Sequence, residues 1–260
     1  MSESLLHIKN LSVTVGDASD AKPILKSVEI EIPQLSITAL VGGSGSGKTT
    51  TGLAILKLLP HGLKIQSGEI SFSGENLLQL PQERLREIRG GDISMVFQEP
   101  LDAFNPVFSI GYQIEEVLQV HTSLNRAQRQ TQILELLDLV GLPKPKQMAA
   151  NYSHQLSGGM RQRAMIAQAI AANPKLIIAD EPTSNLDVTF QAHIIELFKK
   201  LRDELKLSIL LITHDLGMVE HMADHVVVMT EGKIVENGVT REVLNNPAHK
   251  YTQELMRALM

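Results

Sequence analysis

Short apolar runs and longer stretches with apolar residues at helical spacing follow one another along this chain. Residues 5–15 alternate weakly between apolar and polar, and 25–32 alternate too; both predict strands. Between them, 16–23 carries Gly, Asp, Ser and Pro and predicts a turn or loop. The run 37–41 is apolar and β-branched, the pattern of a buried parallel strand. It leads into a glycine-rich loop, after which 49–59 predicts a helix. A strand is expected over 68–73, a charged helix over 81–89 and another strand over 93–97. The texture then changes. Pro100, Pro106, Pro143 and Pro145 punctuate two helical stretches, 109–121 and 126–140. The second holds Ile133, Leu134, Leu136, Leu137 and Val140 at the spacing of a packing face. Further on come a helix over 158–172, a buried strand over 176–179, a helix over 191–205, a strand over 209–213 and a short helix over 216–222. Residues 226–229 and 233–236 predict a hairpin about Glu231-Gly232, with helices expected around Glu242 and over 251–260. Apolar strands alternating with helices argue for an α/β core on a largely parallel sheet, interrupted by a helical insertion.

Composition narrows the function. A chain of 260 residues can bury a large core, and 43% hydrophobic with 20% charged residues is ordinary for a globular protein. The net charge of -5 lacks the basic excess of a chain that wraps nucleic acid, so no nucleic-acid partner is expected. The absence of cysteine excludes disulfides and thiolate metal sites. No stretch reaches the roughly 20 apolar residues of a membrane span, and the first ten residues lack the apolar core of a signal peptide. Any membrane association is therefore expected to be peripheral.

The glycine-rich loop reads GGSGSGKT over 42–49 and fits G-x-x-x-x-G-K-[ST]. Its members are Gly42, Gly43, Ser44, Gly45, Ser46, Gly47, Lys48 and Thr49, with Thr50 following. Glycines permit a backbone that turns its amide N–H groups inward, and the next helix adds the positive end of its dipole. Lys48 would reach the β- and γ-phosphates of ATP, and the Thr49 hydroxyl would sit on Mg²⁺. A flexible Gly/Ser turn is the bland alternative, but a strand enters this loop and a helix leaves it.

Other polar residues stand at predicted strand ends. Asp180 closes the apolar run 176–179, as a Mg²⁺ anchor beside a phosphate loop would, although a lone acid there is often a plain surface residue. Glu181 follows, one residue further out of the strand, where a carboxylate could orient or deprotonate an attacking water. His214 ends the strand over 209–213; read alone, it fits an ordinary core or surface histidine as well as a catalytic one. Strand ends of an open parallel sheet converge on the ligand crevice, which would bring His214 near the γ-phosphate. Gln98 ends the strand over 93–97 and could contact Mg²⁺ or the attacking water. The remaining histidines form no zinc-binding pattern.

Residues 156–163 read LSGGMRQR. Placed after the phosphate loop and before the carboxylate strand, this string resembles the signature of ABC transporter ATPases, and the resemblance covers essentially the whole chain. It implies a P-loop NTPase of ABC type: an α/β fold with a RecA-like core, an antiparallel β subdomain and an inserted helical subdomain. The implied limits within a single 1–260 domain are 1–98 with 157–240 for the core, 99–156 for the helical part and 241–260 for a C-terminal helical segment. Gln98 then resembles the Q-loop glutamine, Asp180 and Glu181 the Walker B aspartate and catalytic glutamate, SNLD over 184–187 the D-loop with Asp187, and His214 the switch histidine. Ser157, Gly158 and Gly159 open a helix whose N–H groups can hold an anion. In the resembled family they clamp the γ-phosphate held by the opposite ATPase subunit.

Segments such as MVFQEPLDAFNP over 95–106 and the terminal P-x-H-x-Y-T pattern at Pro247, His249, Tyr251 and Thr252 resemble the dipeptide, oligopeptide and nickel importer ATPases. That resemblance implies ATP and Mg²⁺ as ligands and a second ATPase subunit, preferably a different chain but also possible as a homodimer. It further implies two transmembrane permease subunits, an extracytoplasmic solute-binding protein met indirectly, and a peripheral place on the cytoplasmic face of a bacterial or archaeal membrane. Phe104, Pro106 and Phe108 are expected permease contacts, with core packing as the rival. The expected solute is a di- or oligopeptide or nickel with a metallophore, the missing cysteine cluster favouring nickel; the alternative is a soluble ABC-type ATPase serving a ribosome or DNA. The sequence departs from the family in places. Where an adenine-stacking aromatic is usual stand Val13 and Val15. Gln34-Leu35 replaces a glycine turn, Gly43 stands where glutamate is common and Ser153 where proline is.

Overall fold

Alternation in the first strands gives each a buried face, and pairing follows from it. The computed structural model describes residues 4–16, 21–184 and 187–257. Three expectations touch residues outside these: part of the early loop (17–20), the middle of SNLD (185–186) and the end of the last helix (258–260). The chain divides into two compact units, Met1–Leu85 with Lys206–Met260, and Arg86–Leu205.

In the first unit, β1 (Ser4–Val15) lies antiparallel between β2 (Lys22–Pro33) and β4 (Leu63–Phe72), with β5 (Glu75–Asn76) on the outer edge of β4. Leu6, Ile8, Leu11 and Val13 of β1 and Leu25, Val28, Ile30 and Ile32 of β2 are buried. A second set of strands centres on β3 (Ile37–Val41), which is buried along its length and parallel to both β8 (Ser208–Thr213) and β9 (His225–Thr230). The antiparallel strand β10 (Lys233–Val239) closes on β9 as the expected hairpin. Helices α1 (Lys48–Ile55), α9 (Leu216–Met222), α10 (Thr240–Asn245) and α11 (Lys250–Arg257) belong to this unit. In the second unit, β6 (Ile93–Val96) and β7 (Leu176–Asp180) run parallel, with α3 (Pro100–Ala103), α4 (Ile110–His121), α5 (Arg126–Leu139), α6 (Pro145–Ala150), α7 (Gly158–Ile170) and α8 (Val188–Leu205). Helix α2 (Gln82–Glu87) spans the boundary between the two units in sequence.

Several limits differ from the sequence reading. The first helix stops at Ile55 rather than 59, because Lys57 takes a left-handed φ of 50° that ends the helix before Pro60. The charged helix ends at Glu87: Arg89 has an extended ψ of 111° and Gly90 a φ of 87°. The His121 ring packs there, so close that a Cβ on Gly90 would lie 3.0 Å from its Nε2. Strand β4 begins at Leu63, five residues early, because it pairs with β1 as far as Val15↔Leu63. Helices α3 and α6, each with proline in its first turn, were read as interruptions.

Candidate active site

Register sets the phosphate loop. Val41 pairs with Thr213 across β3 and β8, so the chain leaves both strands at one level, into Gly42 on one side and His214 on the other. His214 is exposed, and Asp215 beside it caps α9 by accepting from the Met218 amide at 3.0 Å. Gly42 has no room for a side chain: a Cβ would lie 2.1 Å from the Met229 carbonyl oxygen. Gly47, with φ 110°, is equally confined, 2.7 Å from Leu25 Cδ2. The loop is braced by the β9–β10 turn, where the Gly232 amide donates to the Ser46 carbonyl at 2.9 Å. No side chain caps α1, whose N-terminal end with its positive dipole follows directly on the loop.

Lys48 is only 6% exposed, and its Nζ donates to the carbonyls of Gly42 at 2.8 Å and Gly43 at 3.0 Å. The Ser46 hydroxyl is buried and has no hydrogen-bond partner among the described residues. Ser44, Gly45 and Thr49 are exposed at the loop rim, and Thr50 is half-buried. An ammonium, an unpartnered buried hydroxyl and a glycine cradle that Cβ atoms would fill form a donor-rich concavity suited to phosphate. Of the two valines expected where an aromatic is usual, Val13 is fully buried in the sheet core and excluded from contact with a base. Val15 is half-buried.

The second unit carries the carboxylates. Val96 pairs with Ala179 across β6 and β7, which puts Gln98 level with Glu181. Gln98 lies two residues beyond the end of its strand rather than one, is exposed, and its Nε2 donates to Glu181 Oε2 at 3.5 Å, a long bond. Asp180 is the last residue of β7 and is 3% exposed. Glu181 has a left-handed φ of 44°, a conformation costing a non-glycine residue about 1–3 kcal/mol. Ser184 holds it there: its amide and hydroxyl both donate to the Glu181 carbonyl, at 3.1 and 3.0 Å, and the hydroxyl also reaches the Gln98 carbonyl at 3.4 Å. The strained turn aims a carboxylate out of the strand just where a buried one ends.

Ser157 caps α7, its Oγ accepting from the Met160 amide at 3.4 Å. Ser157 and Gly158 are exposed, but Gly159 is buried under the ring of Phe190, whose Cδ1 would stand 2.7 Å from a Cβ there. The Phe190 amide in turn donates to Asp187 Oδ1 at 3.1 Å. Phe190 thus ties the SNLD end to the LSGGMRQR helix; it was missed in the sequence, where nothing couples positions 159 and 190. Tyr251 was noticed only as part of a terminal pattern, yet its hydroxyl accepts from the Gly43 amide at 2.8 Å. Of the expected permease contacts, Phe104 is corrected: at 2% exposure it is core. Phe108 stays exposed and stacks on Tyr112 with ring centroids 4.7 Å apart, near exposed Leu101 and Phe97 in sequence.

A phosphate loop at the end of a central parallel strand, acidic residues at the end of another and a serine-capped signature helix define a P-loop NTPase of ABC type, with its RecA-like core, antiparallel sheet and helical subdomain. The family described as ABC transporter matches residues 25–184, and the chain belongs to that family, among its ATP-binding ATPase subunits. The peptidoglycan transport ATP-binding protein of Agrobacterium fabrum is 46% identical over 98% of this chain. The dipeptide transport ATP-binding protein of Haemophilus influenzae is 43% identical over 98% of it. This chain spans about half of the first protein's length, 47%, and 78% of the second's. Among solved structures, an ATP-binding cassette in a dimeric post-hydrolysis state bound to ADP and Pi superposes with a TM-score of 0.81 at 28% identity, covering 91% of this chain and 99% of that one.

Proposed function

We propose that this chain uses ATP hydrolysis to drive import of a di- or oligopeptide through an ABC transporter. The observation that carries the nucleotide role is the phosphate loop itself: a buried Lys48 amine and an unpartnered Ser46 hydroxyl in a cradle closed to side chains. The relatives named for peptidoglycan and dipeptide transport support a peptide-type solute over nickel. In this reading Lys48 and those amides of 42–49 not already paired within the protein, which excludes that of Gly43, hold the triphosphate. The Thr49 hydroxyl, Asp180 and the Gln98 amide oxygen would hold Mg²⁺, a hard cation that takes oxygen ligands and neutralises phosphate charge. Glu181 accepts the proton of the attacking water, with Gln98 and His214 positioning that water and the γ-phosphate.

Ser157, Gly158, Gly159 and Asp187 would serve a second ATPase subunit, identical or different, by closing on the γ-phosphate in that subunit's loop; the dimeric cassette similar in fold supports a paired arrangement. No helix among the described residues is long and apolar enough to cross a membrane, so two permease subunits would supply the pore, fed by a solute-binding protein outside. The chain would sit peripherally on the cytoplasmic face. Exposed Phe97, Leu101 and Phe108 offer the permease an apolar footing. The test is co-purification with the permease pair and solute-binding protein, reconstitution in vesicles, and ATPase assay. Dipeptides or oligopeptides should stimulate turnover; stimulation by nickel–metallophore alone would overturn the peptide assignment.

A further inference from the structure

The phosphate loop is held from a direction unrelated to its own strand and helix. The segment after β10 and α10 returns across the first unit and is fastened to β10 by Glu236. One carboxylate oxygen accepts from the Ala248 amide at 2.7 Å, the other from the His249 amide at 3.0 Å. The turn is locked internally. His249 Nδ1 accepts from the Tyr251 amide at 3.1 Å, and the Gln253 side chain donates to the Pro247 carbonyl at 2.9 Å. This fixes the start of α11 and aims Tyr251 at the loop, where its hydroxyl accepts from the Gly43 amide at 2.8 Å. Gly43 also carries the carbonyl that receives Lys48 Nζ at 3.0 Å and the Ser46 amide at 3.2 Å. One residue therefore joins the C-terminal segment to the cation and to the buried serine of the phosphate cradle. Its lack of a side chain is used: a Cβ on Gly43 would stand 3.1 Å from the Tyr251 hydroxyl.

We propose that Tyr251 is a positioning residue for nucleotide binding, its hydroxyl fixing the Gly43 peptide and through it the resting place of Lys48. The segment 247–253 is then a strap that pre-shapes the loop. The hydroxyl takes up an amide at the loop's entrance that no strand neighbour satisfies, so the loop meets phosphate already formed. The proposal rests on the reading of this loop as the ATP site.

The experiment measures Mg-ATP affinity by calorimetry and thermal melting without nucleotide, for the full chain and for Y251F, G43A and the double variant. Y251F keeps the ring and removes only the hydroxyl. A neutral hydrogen bond lost from a pre-shaped site corresponds to about 2- to 10-fold weaker binding. The melting temperature should stay near that of the parent, and in steady state the loss should fall on KM for ATP rather than on kcat. G43A should weaken binding in the parent by crowding the hydroxyl, but should cost less in the Y251F background, where the crowding partner is gone. Equal affinity of Y251F and parent, or strictly additive effects of the two substitutions, would overturn the positioning role. A parent chain that binds no Mg-ATP would instead overturn the ATP-site reading beneath it.

Discussion

Glu181 is the residue whose geometry departs furthest from the ordinary. A glutamate with φ 44° is held in place here by Ser184, which ties down its carbonyl, while the Gln98 side chain meets its carboxylate. Strain of this kind is tolerated where it aims a group. Glu181→Gln preserves size and the Gln98 neighbourhood but cannot take a proton. ATP binding should persist while turnover falls about 10²–10⁴-fold. Turnover within a few-fold of the parent in the assembled transporter would remove Glu181 from the water-activating role. The candidate residues of this site could be singled out in the sequence because each sits in a short local string: GGSGSGKT, the acidic end of an apolar strand, LSGGMRQR. Phe190 and Tyr251 were not, because what makes them matter is a partner 31 or 208 positions away, and local spacing carries no trace of such pairs.

Among the elements, those with a strong period appear as read: β3, β8, α4 and α5 lie within a residue or two of the expected limits. The limits that moved are set by pairing or by backbone exceptions. Strand β4 is lengthened by β1, and α2 is cut short at a glycine pair under His121. The turn before β3, where glycine is usual in the family, is a further exception: Leu35 adopts φ 57° and lies 55% exposed, its amide donating to Ser208 Oγ at 2.9 Å. Leu35→Gly relieves the left-handed strain but frees the unfolded chain, so a net gain of up to about 1 kcal/mol is expected by urea denaturation. A clear loss would show that the leucine side chain contributes packing despite its exposure.

The Glu236 clip brings a pH dependence. Burial works to raise the carboxyl, but hydrogen bonds from the Ala248 and His249 amides, with the Thr252 hydroxyl and the charge of His249 nearby, hold it below the ordinary glutamate range. A carboxyl lowered by folding stabilises fully above its unfolded value, and this contribution drains away as pH falls through the lower folded value. Amide exchange at Ala248 and His249, taken relative to its intrinsic rate at each pH, should accelerate in the parent as pH falls below the ordinary glutamate range. In Glu236→Gln it should be fast already at neutral pH, with a weaker dependence on acid; equal protection in both at pH 7 would discount the clip.

At the scale of the whole molecule, the cation-bearing loop and His214 belong to one unit, and the carboxylates and the serine-capped signature helix to the other. If Ser157 serves a neighbouring subunit's nucleotide, Ser157→Arg should leave Mg-ATP binding by the single chain intact and abolish ATP-driven pairing, read by light scattering. Unchanged pairing would leave α7 without that role. The fold class was readable from alternation of strand and helix, and the family from motif order. The limits of the units were not, since they depend on which distant segments pack together.

The Glu231-Gly232 tip of the β9–β10 hairpin has a practical consequence for anyone grafting a tag or fluorescent reporter into this protein. A tight reversal on a short hairpin is an attractive insertion point. Here Gly232 abuts the Ile24 carbonyl, 2.1 Å from where a Cβ would stand, and its amide is spent on Ser46. Cargo spliced in at that spot would pry open the nucleotide cradle. The reversals at Gly62 and Gly74, which have nothing within 4 Å of a notional side chain, are the safer doors.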